Sequence, residues 1–541
     1  MKVDGALLAS LFCLALVLRL VPLFFSPLPY NIDGFALTAI SRDFGTTGHW
    51  ALNESDPNEA DLKLPAFSLV WYAASSVAGL HPLTDIQWFL RIVTATVVLP
   101  VYLLGVMLTG RRSVGFVAGL FLAIFGSFLL LTSSVMKESL ALLFVPAIVL
   151  AFHGRADSRR RTIATVLLLV LAFLHHVTLL MAVGMVGSLI FLAQARALSR
   201  GRFSTRTLAL DLASGIGPFA VGMAYYKAVN LGTVPTAFDE FVLFLALMIV
   251  LMALLARAWR PLARRRGRRF VLPSGRAFLV PAIVLAAVLV NTETVLFPGT
   301  SATRPALLEL LPPLLFLAAL ALVGYGVVRR TSNRANDLVL SLAVAPTALV
   351  LFGFLRGLDP LSHLIIYRSF DFLDFAFALL VGVGVGLLWA RLGTHPGVRI
   401  AIVAALLGAL LATTPMAWDT QRVFGVDNVT TPEEFQALSV LASLGAKSVA
   451  SDQRLTTVGT WWFGFEGDRF LPYDLLHGNP VSGADYALVL ERWTTIGAQE
   501  YPGPNVILDR ATLDDFLSGH RIVYVAGVPG DRLYVVQLVD A

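Results

Sequence analysis

The sequence predicts an α-helical polytopic membrane protein carrying a small soluble α/β domain at its C-terminal end. Three observations predict it. Of 541 residues, 57% are hydrophobic and only 14% charged, whereas soluble domains hold roughly 25% charged residues. Apolar runs near the length that crosses a bilayer recur from Gly5 to Pro415. Beyond Pro415 the hydropathy collapses and the charge changes sign. From Trp418 onward there are 16 acidic and 8 basic residues, a balance of −8, against 19 acidic and 33 basic before it, a balance of +14. Residues 1–416 therefore read as the membrane part, with a first outer loop at 26–64, and 417–541 as the soluble domain.

The first apolar run, Gly5 to Phe25, exceeds a signal-peptide core of about 7–15 residues and lacks an A-x-A-like exit, so it reads as a retained helix. Cys13 inside it is the sole cysteine, which excludes a disulfide framework and a cysteine metal site. Next comes "PLPYNIDGFALTAISRDFGTTGHW" (27–50), a loop with a short amphipathic helix. Basic loops mark the cytoplasm: "GRR" with Arg111 and Arg112, "HGRADSRRR", "RALSRGRFSTR", "RAWRPLARRRGRRF", "RRTSNR" and "ARLGTHPGVR". Arginines confined to such loops are topology determinants, not a nucleic-acid surface. Lys2 and Arg111 then share one side, so an even number of crossings separates them. Of the segments 5–25, 65–80 and 90–109, the middle one is shortest and follows Lys63 and Pro65; it reads as re-entrant or interfacial.

Further spans fall near 113–131, 138–153, 162–175, 177–194, 207–228, 241–256, 277–296, 306–328, 338–355, 371–391 and 399–416. The total is about 13, with the N-terminus cytoplasmic and the C-terminal domain extracellular, in the plasma membrane. Several spans are short for a hydrocarbon core of about 30 Å, which implies a thinned bilayer or a cavity at one end. No internal repeat of the kind that marks many transporters is present. In the soluble part, "TTPEEFQALSVLASLG" predicts a capped helix with Thr431 at N-cap, Pro432 at N1, Glu434 at N3 and Gly445 past its end. "KSVASD", "YALVL", "RIVYVAG" and "RLYVVQLV" predict strands. Two N-x-S/T sequons, at Asn53 and Asn428, fall outside on this topology.

The predicted outer face collects the charges that loop signalling leaves unexplained. Loop one has Asp33, Arg42, Asp43 and His49; "SSVMKES" has Lys137 and Glu138; "FLHHVT" has His175 and His176. Asp239, Glu240, Glu293 and Arg304 follow, then Arg356, Asp359, His363, Arg368, Asp371 and Asp374. Ionisable groups at membrane depth are costly and mark substrate pathways. Plain structural readings exist for several. Asp33 suits a helix cap, Lys137 with Glu138 an exposed ion pair, the two histidines packing residues, and Arg19 an anchor. As a set they fit a phosphate-bearing lipid, whose oxygens match arginine's planar fork. A nearby carboxylate would deprotonate or orient the second substrate.

The membrane part resembles the C-type (GT-C) superfamily of glycosyltransferases: protein O-mannosyltransferases, lipid A aminoarabinose transferases and archaeal oligosaccharyltransferases. The likeness lies in "LVLRLVPLFF" leading to the acidic loop "YNIDGFALTAISRDFGTTGHW", in "LPAFSLVWYAASSVAGL", in the basic hairpin leading to "SSVMKES", and in "FLHHVTLLMAVGMVG". It implies transfer of a sugar from a polyprenyl-phosphate donor to a protein or lipid-linked glycan acceptor at the outer face of the bilayer. Asp33 would be the catalytic base. Arg368, Arg304 and Lys137 would hold the donor phosphate, and Glu138, Asp43, His49, His175 and His176 would line the acceptor pocket.

Two departures stand out. Gly34 follows Asp33 where O-mannosyltransferases carry paired acids, and "WWFGF" has Phe463 where oligosaccharyltransferases carry an acid. No cofactor is assigned; a divalent metal (Mg or Mn) is compatible with the resemblance, but the second loop has no D-x-D. The competing class is a transporter or flippase of lipid-linked sugars or another anionic lipid. A structural surface-layer anchor would leave the membrane charges unexplained.

Overall fold

The computed structural model describes residues 4–50, 52, 58–232, 238–263, 286, 290, 304–328, 333–357, 360–392, 395–481, 483–500 and 505–538. Among these, eight helices are long and apolar enough to cross a membrane, or nine if one bent pair counts as a span. That is fewer than the 13 expected, for identifiable reasons. Lys137–His153 and Ser158–Leu174 occupy two expected positions but have 17 residues each, about 26 Å at 1.5 Å per residue. Phe238–Ala263 occupies a third. The expected span at 277–296 lies almost wholly outside the described residues.

The bent pair, Arg112–Ile124 and Gly126–Ser133, turns by 63°. The break is made by the last helix of the bundle. Gly126 donates its N–H to Thr413 Oγ1 at 2.9 Å, and a Cβ at Gly126 would overlap the Thr413 carbonyl. The buried Arg19 guanidinium donates to the Leu122 carbonyl just before the break and to Ala15 in its own helix. It thus acts as an anchor at the end of the first span, satisfying a carbonyl beside the bend.

Loop one is folded rather than loose. Asp33–Thr47 forms a helix ended by Gly48 at φ 71°. Ala66–Ala78, in the segment expected to be re-entrant or interfacial, is a 13-residue helix, about 20 Å long and so too short to span. It buries Phe67, Ser68, Trp71 and Ser75 and exposes Leu69, Val70 and Val77. Ser68 Oγ donates to the Leu37 carbonyl of the first helix at 3.0 Å.

The C-terminal module holds a five-stranded sheet in the order β2-β1-β3-β5-β4. The strands are β1 Ser448–Ala450, β2 Glu466–Asp468, β3 Tyr486–Leu490, β4 Arg521–Ala526 and β5 Leu533–Gln537. β1 runs parallel to β2 and β3, while β5 is antiparallel to β3 and β4. The helix Pro432–Ser443 opens on the predicted capping box of Thr431 and Glu434. β2 escaped the sequence reading because Glu-Gly-Asp has no strand propensity.

Loop one and the module share a hydrophobic core. Leu28, Phe35 and Leu83 pack with Leu438, Leu441, Val458 and the inner faces of the strands, and the Phe35 and Phe435 rings stack at 6.0 Å. The two therefore lie at the same end of the bundle. Asn428 sits in this seam, its side chain bonded to Asn31 and Thr420, so the second sequon is engaged within the fold. Asn53 lies outside the described residues.

A buried ion pair fixes the junction. Arg454 donates to the Val429 carbonyl at 2.7 Å and pairs with both oxygens of Glu434. Burial alone would raise the Glu434 carboxyl, but Arg454 and Arg492 hold it below the usual range. Removing Arg454 leaves the buried Glu434 carboxylate to Arg492, which reaches only one of its oxygens. Arg454→Met is expected to cost about 3–5 kcal/mol, measured by thermal unfolding of the purified protein. Because the Glu434 carboxyl is depressed, its stabilising contribution is present at neutral pH and fades as pH falls through its folded-state value.

Candidate active site

The segment 30–34 positions the loop-one carboxylate. Asn31 adopts φ 91°, and its Oδ1 accepts the Asp33 N–H at 2.9 Å. Asn31 thus does the capping that Asp33 was available to do, and the Asp33 carboxylate makes no hydrogen bond among the described residues. Gly34 answers the departure from paired acids. A Cβ there would come within 2.5 Å of Pro29 Cβ and 2.9 Å of Val135 Cβ, so no side chain fits beside Asp33.

Opposite this turn stands the start of the helix Lys137–His153. The stretch before it is held by Val135, whose N–H donates to the Tyr30 carbonyl at 2.7 Å, and by Ser139, whose hydroxyl donates to Leu131 and Ser134. Glu138 is buried and pairs with Arg368 Nη1 at 3.0 Å. Arg368 comes from the helix Pro360–Leu392. Lys137 pairs with Asp61, from the short helix Glu59–Leu62 that ends loop one. Asp61, Arg368, Lys137 and Glu138 all act electrostatically on Asp33. Burial raises the Asp33 carboxyl to about 6; Asp61 pushes the same way, while Arg368 and Lys137 oppose.

The cluster unites Asp33, Lys137, Glu138 and Arg368. It adds Asp61, which the sequence reading passed over; its signal was the acidic run "NEADLK" closing the loop. His176 lies within electrostatic reach of Lys137 and Arg368, with its ring 5.5 Å from His175 and 6.4 Å from Tyr226. His175 serves as the N-cap of the helix His176–Ser199, accepting the Thr178 N–H. Asp371 and Asp374 continue along the Arg368 helix, buried, each with one oxygen lacking a hydrogen bond among the described residues; Asp371 lies within electrostatic reach of Glu138.

Two candidates fall elsewhere. Asp43 lies ten residues along the helix from Asp33, about 15 Å away at 1.5 Å per residue, and pairs with Arg42 at 3.0 Å. Arg42 in turn caps the Trp462 ring at 4.4 Å and donates to the Trp462 carbonyl. His49 is exposed beyond the helix end. Arg304 opens the helix Arg304–Val328, but its side chain, like those of Asp239 and His363, lies outside the described residues, as do Glu293 and Asp359. Glu240 and Arg356 pair at 3.0 Å. No group of three or more His, Cys, Asp or Glu able to hold a metal occurs among the described residues, so the Mg or Mn allowed for above finds no ligand set there.

No family model and no curated protein matches the sequence. Solved structures do. The archaeal oligosaccharyltransferase AglB from Archaeoglobus fulgidus, in complex with an inhibitory peptide and a dolichol-phosphate, is 12% identical over 90% of this chain and 69% of its own, with a TM-score of 0.52. The Archaeoglobus fulgidus oligosaccharyltransferase in complex with Zn and sulfate is 14% identical over 90% of this chain and 68% of its own, with a TM-score of 0.53. The chain shares the overall fold of these archaeal oligosaccharyltransferases.

The tight turn at Gly34 generates one prediction. Gly34→Ala forces Pro29 or Val135 aside and is expected to cost about 1–3 kcal/mol, read as a lowered melting temperature of the purified protein. An unchanged melt would show that the turn has slack.

Proposed function

We propose that this protein transfers a sugar from a polyprenyl-phosphate donor to an acceptor hydroxyl, at the outer face of a plasma membrane that it crosses about 13 times. In this reading residues 1–416 form the membrane enzyme, with the N-terminus cytoplasmic, and 417–541 form an extracellular domain. The observation that carries the proposal is the meeting of Asp33 with Arg368 and Lys137 around one cluster, from segments more than a hundred residues apart in sequence.

Asp33 accepts the proton of the acceptor hydroxyl as its oxygen bonds to the sugar C1. The C1–O bond to the phosphate breaks, its electron pair leaves with polyprenyl phosphate, and the configuration at C1 inverts. Arg368 and Lys137 hold the phosphate, with Arg304 as a further candidate. Glu138 orients Arg368, and His176 lines the pocket.

Charge balance supports these roles. Asp33, Asp61 and Glu138 against Lys137 and Arg368 leave the described cluster one negative charge in excess. Proton transfer to Asp33 cancels that excess as the departing phosphate gains a charge. An acid with a raised pKa suits a base that works near neutrality. No step is routed through a metal.

Asp33→Asn is expected to lower transfer of radiolabel from polyprenyl-phosphate sugars by about 10²–10⁴-fold, the range of general-base contributions, in protein that folds normally. Near wild-type turnover would remove Asp33 from the mechanism. Label that crosses a liposome bilayer still attached to its lipid would favour the flippase instead. Arg368→Ala is expected to raise the KM for the lipid donor. Wild-type turnover should fall as pH drops through about 6, where burial places the Asp33 proton. A flat profile from pH 5 to 8 would contradict the assignment.

A further inference from the structure

We infer that the junction joining the last membrane helix to the C-terminal module sets the position of the reactive carboxylate, with Asn31 and Asn428 as the positioning residues. This rests on the reaction proposed above. Asn31 has a backbone conformation that a side-chain-bearing residue holds only where its surroundings over-determine it. Its surroundings do so with every polar group it has. The Asn31 N–H donates to the Asn428 backbone carbonyl at 2.9 Å, its Nδ2 donates to Asn428 Oδ1 at 3.3 Å, its Oδ1 accepts the Asp33 N–H, and its carbonyl accepts the Gly34 N–H at 3.2 Å. Asn428 is fixed in turn by Thr420, whose Oγ1 accepts from its Nδ2 at 3.3 Å.

The residues alongside repeat the pattern. Tyr30 donates its hydroxyl to the Ala417 carbonyl at 2.7 Å, while its own carbonyl takes the Val135 N–H from the second loop. Ser26 Oγ donates to the Thr430 carbonyl at 2.7 Å. Residues 417–430 thus grip loop one at three points upstream of Asp33, across nearly 400 residues of sequence. The close approach at Gly34 leaves no room for the turn to settle elsewhere. Loss of the Asn428 side chain removes one of the four bonds of Asn31 and the brace to Thr420, leaving the backbone contact alone to hold the turn that aims Asp33.

The test uses full-length protein in nanodiscs. Asn428→Ala and Asn31→Gly are expected to lower kcat for the labelled polyprenyl-phosphate sugar about 10–100-fold, the scale of a roughly 1 Å misplacement of a catalytic group. The KM for the lipid donor should stay near wild type, and the acid limb of the pH profile should move. Amide hydrogen exchange at residues 33–36 should quicken roughly tenfold or more as local opening becomes easier. Asn428→Asp keeps the acceptor for Asn31 and is expected to restore all of these. If Asn428→Ala melts lower yet keeps wild-type kcat and pH limb, the contact is merely structural and the inference falls. Unchanged exchange at 33–36 overturns it by itself, whether or not any sugar donor is turned over. Full activity in Asp33→Asn would instead overturn the proposed reaction.

Discussion

The ion pair between Glu138 and Arg368 is the contact on which the arrangement of the site depends. It ties the start of the helix Lys137–His153 to the helix Pro360–Leu392, with Glu138 fully buried and Arg368 partly so. Removing one partner of such a pair costs about 3–5 kcal/mol, because the other is left charged without water. The two helices are therefore locked in register at this point. Lys137, the neighbouring residue, extends the lock to loop one through Asp61. One turn of helix thus fastens both the far end of the bundle and the closing end of loop one.

Loop one is in consequence held at two ends by different physics. Its closing end is held by charged side chains, through Asp61 on Lys137 and through Lys63, whose Nζ donates to the Asn230 carbonyl at 3.1 Å. Its opening end is held by backbone hydrogen bonds and by apolar burial, since Leu28 and Phe35 belong to the core of the C-terminal module. The helix Asp33–Thr47 is buried along Gly34–Ser41, which explains why a loop outside the hydrocarbon region carries so apolar a sequence. The turn containing Trp461 and Trp462 packs on the same segment, with Asn58 donating to the Trp461 carbonyl and Arg42 to that of Trp462. The two tryptophans that resemble an oligosaccharyltransferase motif are here part of the seam.

The fold class was legible because composition and hydrophobic run length report directly on the solvent a segment meets. The charges of the site were legible for a related reason: ionised groups near the hydrocarbon boundary are rare enough to be counted. Their pairing was not legible. Nothing local in "KES" or "NEADLK" shows that Lys137 meets Asp61 while Glu138 meets Arg368; that follows from how helices pack. Nor does sequence order convert simply to space. Asp43 and His49 stand close to Asp33 in the chain yet are carried away from it by the rise of one helix. The second carboxylate beside Asp33 is Asp61, from the other end of the loop, and Gly34 occupies the adjacent position because the turn has no volume to spare.

What singles out Asp33 is its place in this scheme of pairing. Lys137 is committed to Asp61 and Arg368 to Glu138, so Asp33 is the carboxylate of the cluster without a salt-bridge partner among the described residues. Its carboxyl is raised by burial and by Asp61, while Arg368 and Lys137 oppose the rise. In the proposed reaction that intermediate condition suits a general base.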